Sequence, residues 1–108
     1  MFGKLGDMAN ILQKAQEMQK KMAAVQDEIL KLEGRGESAG GLVEAVAGGD
    51  FTVRRITIKD ECLKTSDPEI IQEHVMSAVN SALEQIKMKS KEKMAGVTSG
   101  IDIPGLSI

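Results

Sequence analysis

Four lysines alternate along one short stretch, Lys87, Lys89, Lys91 and Lys93, with Glu92 the one acid among them. Ammonium groups at this density attract phosphate as mobile point charges. On a helix each step of two residues turns about 200°, so the four cannot share one narrow face. A spread cationic tip suits contact with a phosphate backbone better than reading of base edges. The same lysines near a helix C-terminus also complement its dipole and keep a surface hydrated. A second basic set consists of Lys4, Lys14, Lys20 and Lys21. It reads either as a further phosphate contact or as the solvated edge of a coiled coil. The acids are placed elsewhere: residues 67–86 hold Asp67, Glu69, Glu73 and Glu84 with no Lys or Arg.

Residue types that carry catalysis are present but isolated. His74 is the only histidine and lacks further His, Cys or carboxylate partners at ligand spacing, so it reads as a partly buried structural residue. Cys62 is the only cysteine and has no neighbouring base in sequence, so it reads as an apolar filler. Ser66, Thr98 and Ser99 have no triad context, and GESAGG does not lead from a strand into a helix as a phosphate-cradling loop must. The expectation is a protein without enzymatic activity, metal, cofactor or small-molecule substrate. Arg54 and Arg55 point to opposite faces of a strand unless a bulge intervenes, and either can pair with an acid across a subunit boundary. Arg35, among glycines, is placed to meet phosphate or cap a turn.

These side chains need elements to position them. Met8, Ile11, Ala15, Met18, Met22, Val25, Ile29 and Leu32 recur in steps of three and four, a heptad seam on one helix. Asp7 is a plausible N-cap, which gives a helix of about 26 residues and roughly 39 Å. Residues 1–6 precede it as a flexible arm. Six glycines between 34 and 49 end that helix, and short β-prone pieces follow at Glu33–Ser38, Leu42–Ala47 and Phe51–Lys59. Gly48-Gly49-Asp50 signals a hairpin. In the last piece Phe51 and Val53 alternate out of phase with Ile56 and Ile58. A bulge near Arg54-Arg55 or a strand buried on both faces would resolve this. Ser66 or Asp67 can cap a second long helix with Pro68 in its first turn. Its apolar face runs Ile71, Val75, Ala78, Val79, Ala82, Leu83 and Ile86 to about Ala95, and 96–108 form a flexible tail.

The expected fold is α+β, a helix, a three-stranded antiparallel meander and a helix (α-β-β-β-α), in one domain spanning 1–108. A chain of 108 residues with two Phe and no Trp or Tyr has little to cover a seam of that length. Seven Met residues suit a helical interface. A symmetric homodimer is therefore expected, with Met18, Met22, Val25, Ile29, Phe51 and Val53 at its interface. The formal net charge of −2 argues against a uniformly basic nucleic-acid binder. A lone cysteine forms no disulfide within one chain and fits a reducing compartment. With no secretion signal and no long apolar run, a soluble cytoplasmic protein without a membrane partner is expected.

Three segments together, FGKLGDMANILQKAQEMQKKM, GESAGGLVEAVAGGDFTVRRITI and KEKMAGVTSGIDIPGL, resemble the YbaB/EbfC family of bacterial nucleoid-associated proteins over nearly the whole chain. None is a catalytic signature. The resemblance implies an intertwined homodimer whose helical arms project like tweezers. It implies duplex DNA as partner, a place at the nucleoid, and a role in nucleoid organisation and gene regulation. If the two helices of a subunit return antiparallel from the sheet, Lys4, Lys14, Lys87, Lys91 and Lys93 gather at one distal end. A different class of function, a holdase resembling prefoldin subunits or an interaction adaptor, would use Met-rich arms to grip apolar partners.

Overall fold

The computed structural model describes residues 2–65 and 67–99. Helix α1 spans Phe2–Leu30, strand β1 Glu33–Glu37, β2 Val43–Gly48 and β3 Val53–Ile58. A single helical turn, α2 (Asp60–Leu63), leads to the long helix α3 (Pro68–Ser99). The order is α-β-β-β-α, with α2 an added turn that no periodicity announced. The molecule is a rod, 79 × 24 × 16 Å.

The two helices differ in extent from the sequence expectation. α1 is already helical at Phe2, so Asp7 lies inside it and does not cap it. The segment expected as a leading arm is thus part of a helix of 29 residues, about 43 Å long. α3 continues past Ala95 through Gly96 to Ser99, taking in the start of the expected tail. Residues 100–108 and the alternative cap Ser66 lie outside the described residues. Asp67 takes the capping role: its Oδ1 accepts the Glu69 backbone N–H at 3.0 Å, with Pro68 in the first turn.

The sheet has the order β1-β2-β3, both pairs antiparallel. β2 pairs Val46 with Arg55 but Ala47 with Val53, so Arg54 is the extra residue of a bulge. That bulge resolves the mismatched alternation. Val53, Ile56 and Ile58 now lie opposite Ala47, Ala45 and Val43 on one face, and Arg55 and Thr57 lie on the other. The β1–β2 connection is a 3-10 turn at Ala39–Gly41, in which Gly40 and Gly41 adopt φ of 70° and 69°. Ser38 closes it, donating its backbone N–H to the Val43 carbonyl and accepting the Val43 N–H on Oγ at 3.0 Å.

α3 lies on the inner face of β1 and β2. The core is Val43, Ala45, Ala47, Cys62, Ala78, Ala82 and Ile86, all fully buried. Leu32, Leu42, Ile58, Ile71, Val75, Val79 and Leu83 pack around it. The approach is close because small residues face each other. A Cβ on Gly34 would sit 2.5 Å from the Ala82 carbonyl, and one on Gly36 would fall on the Ala78 carbonyl and the Ala82 nitrogen. β3 joins this packing only through Ile58; Val53 and Ile56 are each 42% exposed.

Candidate nucleic-acid interface

α3 runs back along α1. Lys89 Nζ donates to the Glu33 carbonyl at 3.0 Å, and Lys93 Nζ pairs with Glu28 Oε2 at 3.3 Å. Farther along, Gly96 and Val97 share a groove with Lys21, Ala24 and Val25. Moving forward on α3 therefore means moving backward on α1, so the helices are antiparallel, as the gathering of lysines required. The register, however, defeats that gathering. Lys93 sits beside Glu28, and Lys14 lies fourteen residues earlier on α1, roughly 21 Å away along the axis. The Lys4 backbone is a further ten residues out, about 15 Å more. Lys87, Lys89, Lys91 and Lys93 thus stand at the base of the arm where it meets the sheet, not at its tip.

Within that basal group the lysines differ. Lys87 and Lys91 are exposed, whereas Lys89 and Lys93 are half-buried and held on Glu33 and Glu28. On α1, Lys14 and Lys20 are exposed, and Lys21 edges the groove that also contains Lys93. The stretch of α1 beyond the end of α3 carries Lys4, Lys14, Lys20 and Lys21 against Asp7 and Glu17. A chain of net charge −2 therefore has a positively charged arm. The acids that balance α1 over residues 1–33 are Asp27, Glu28 and Glu33 at its base.

The arginines share a different surface. Arg35 lies opposite Val46, and Val46 opposite Arg55, on the sheet face turned away from α3. Arg35 bridges Glu33 at 3.7 Å and Glu44 at 3.6 Å. Arg54, the bulged residue, reaches Asp50 at 3.5 Å. Asp50 Oδ1 also accepts the Thr52 hydroxyl at 2.6 Å, and this bond, with Arg54 nearby, holds its carboxyl below the ordinary value of 3.8. These are ion pairs within one chain and on an exposed face.

Of the α1 residues expected at a self-interface, Val25 borders the groove shared with α3, whereas Met18 and Met22 face away from it. Met18, Met22, Val25 and Ile29 are half-buried on α1. Ala15, Met18, Met22 and Ala23 line a shallow groove built on α1 alone, away from α3. Gly49 abuts the Ile29 carbonyl so closely that no side chain fits there, which seats the hairpin tip on the end of α1. Phe51 at that tip is 54% exposed and holds φ of 61°, a strained conformation for a bulky residue. The sheet edges are unequal as well. α3 closes the β1 edge, since Gln85 Oε1 accepts the Arg35 N–H at 2.6 Å and Lys89 binds the Glu33 carbonyl. Every residue of β3 except half-buried Ile58 is exposed. The sequence could not show this inequality, because it depends on where α3 lands.

His74 is half-buried and Cys62 is fully buried in the core. Among the described residues no three His, Cys, Asp or Glu side chains are grouped to hold a metal ion. Among them, too, no helix is long and apolar enough to cross a membrane.

A comparison with known protein families finds a match over nearly the whole chain. The model of the YbaB/EbfC DNA-binding family matches residues 4–101. The chain belongs to this family. An uncharacterized protein from Helicobacter pylori, known from its crystal structure, shares the fold with a TM-score of 0.67 at 20% identity. The match covers 82% of this chain and 92% of that one. In this YbaB/EbfC member DNA is thus the partner class that family membership assigns.

Proposed function

We propose that the protein acts as a homodimer that holds duplex DNA mainly through its phosphate backbone, with a role in nucleoid organisation and gene regulation in the cytoplasm. The observation that carries this reading is the arm. α1 continues past the end of α3 with exposed Lys14 and Lys20 on a segment of net positive charge, while the acids stay at its base. Two such arms, one per subunit, present cations on both sides of a gap. Phe2, at its start, is the one aromatic residue of α1, so affinity rests mainly on counterion release and sequence preference on DNA shape. Dimerisation follows from the apolar edge: Met18, Met22, Val25 and Ile29 continue into Phe51, Val53 and Ile56, and a second copy covers them.

The test is a binding titration by fluorescence anisotropy on two unrelated duplexes. If Lys14, Lys20 and Lys21 of both copies each reach a phosphate, about six are neutralised and the salt slope is about −5. Raising salt from about 50 to about 200 mM then weakens binding roughly a thousandfold, equally on both duplexes. Affinity that is insensitive to salt refutes the reading. The exposed Met8, Ile11 and Leu12, each above 60% accessible, favour a second reading, a holdase or adaptor gripping apolar partners. Protection of an unfolded client that persists at high salt, without DNA binding, would favour that one instead.

A further inference from the structure

Phe51 occupies a backbone conformation that its side chain does not favour. Its N–H donates to the Gly48 carbonyl at 2.9 Å, and the Gly48 N–H donates to the Thr52 carbonyl at 2.8 Å. This is a hairpin turn followed by one left-handed residue, the place that glycine normally fills. Here Phe51 fills it, at φ of 61°. Holding a residue with a Cβ there costs about 5–30-fold in the folding equilibrium. The residue remains 54% exposed, so packing within the chain repays only part of that cost.

The surroundings of the ring are apolar. Gly49 seats the hairpin tip on the last turn of α1, since a Cβ there would stand 3.1 Å from the Leu30 carbonyl carbon. Leu30, 55% exposed, and Phe51 therefore flank one junction. Val53 and Ile56, each 42% exposed, continue from it along β3. Arg54 pairs with Asp50 at 3.5 Å, so the charges of the tip cancel and give phosphate no net attraction. We propose that Phe51 is the anchor of the self-interface, its ring covered together with Leu30 by a second copy. Strain held in the single subunit is repaid on association, which is why a phenylalanine stands where glycine would fold more easily. The assignment rests on the homodimer proposed above, with Leu30 as a further member of its interface.

The test compares Phe51→Ala, which removes the ring and keeps the strain, with Phe51→Gly, which removes both. Sedimentation equilibrium gives the dimer Kd of each full-length chain. A dimer buries two rings, so a tenfold loss per ring weakens it about a hundredfold in both variants. In urea, at one protein concentration, Phe51→Gly should fold several-fold more favourably than Phe51→Ala. Variant Kd values within about threefold of a dimeric parent overturn the anchor and leave the homodimer standing. A parent that is monomeric at micromolar concentration overturns both. Equal stability of the two variants overturns the proposal, because no strain then sits at this position. Unchanged dimers with weakened DNA binding overturn it too, assigning the ring to DNA. Fluorine NMR with para-fluorophenylalanine keeps the ring in place. The chain has two Phe, and the resonance absent from Phe51→Ala should shift in step with the dimer fraction on dilution. A resonance that does not move on dilution overturns the proposal.

Discussion

Gly36→Ala tests how α3 is seated on the sheet. The added methyl would fall on the Ala78 carbonyl and the Ala82 nitrogen, both backbone, so no rotamer change can make room. The neighbouring Gly34 gives the scale: its Cβ would stand 2.5 Å from the Ala82 carbonyl and 2.7 Å from Ile86 Cγ1. Ordinary contact needs about a further ångström, so α3 must lift by about that much. A gap of that size forfeits a quarter to a half of the dispersion energy along the seam of Ala78, Ala82 and Ile86. Overpacking costs about 1–3 kcal/mol, and a rigid neighbour places this site at the upper end. Reduced freedom of the unfolded chain returns about 0.4–1 kcal/mol. The expected net loss is about 2 kcal/mol, or about 8–16 °C in Tm for a domain of this size. Without Trp or Tyr, unfolding is followed by helical circular dichroism in urea, at one fixed protein concentration because association contributes to stability. Gly6→Ala is the control, since a Cβ there meets nothing within 4 Å inside α1. It should stabilise by about 0.5–1 kcal/mol. A Gly36→Ala variant within about 0.5 kcal/mol of the parent would refute backbone-on-backbone seating of α3.

Three further outcomes follow from the site. Lys14→Glu with Lys20→Glu should weaken DNA binding and reduce the salt slope by about 1 for each phosphate no longer neutralised, leaving circular dichroism unchanged; an unaltered slope places the phosphate-binding cations elsewhere. Met22→Glu puts a charge on the exposed groove of α1 and should shift sedimentation from dimer to monomer at micromolar concentration, whereas an unchanged species would move the interface off that face. Asp50 titrates below 3.8 because the Thr52 hydroxyl and Arg54 favour its charged form, so its support of the hairpin is complete above that value and is lost as pH falls through the depressed one. Carbon-13 NMR of the carboxyl reads this directly, and Thr52→Ala should return the midpoint toward 3.8.

The heptad seam, the Asp67-Pro68 helix start, the hairpin and the bulge at Arg54 were legible because each depends on residues close in sequence. The alternation of FTVRRITI left two solutions, a bulge near Arg54-Arg55 or a strand buried on both faces, and β3 adopts the bulge. The ends of the helices were not legible. Gly6 and Gly96 read as breakers, yet both lie inside helices, where one glycine costs only about 1 kcal/mol. The register of α3 on α1 was hidden for a different reason. It is set by Gly34 and Gly36 admitting Ala78 and Ala82, a long-range fit that leaves no periodic trace.

That register also decides what the lysines can do. Had α3 been shifted one arm's length outward, eight cations would have met at a tip, and the acids of α1 would have faced the sheet alone. Instead Lys93 neutralises Glu28 and Lys89 caps the Glu33 carbonyl, so half of the basal group is engaged within the chain. The distal arm keeps Lys14 and Lys20 exposed with only Glu17 between them. Charge is thus sorted along α1 by the position at which α3 stops. The apolar stripe of α1 lies on another side of the helix, away from α3. An arm that must be cationic toward DNA and apolar along one side can satisfy both only if the two faces differ in partner. Lys20 lies about 180° around the helix from Ile11, on the side opposite the stripe, whereas Lys14 lies only about 60° from Ile11, at the stripe's border.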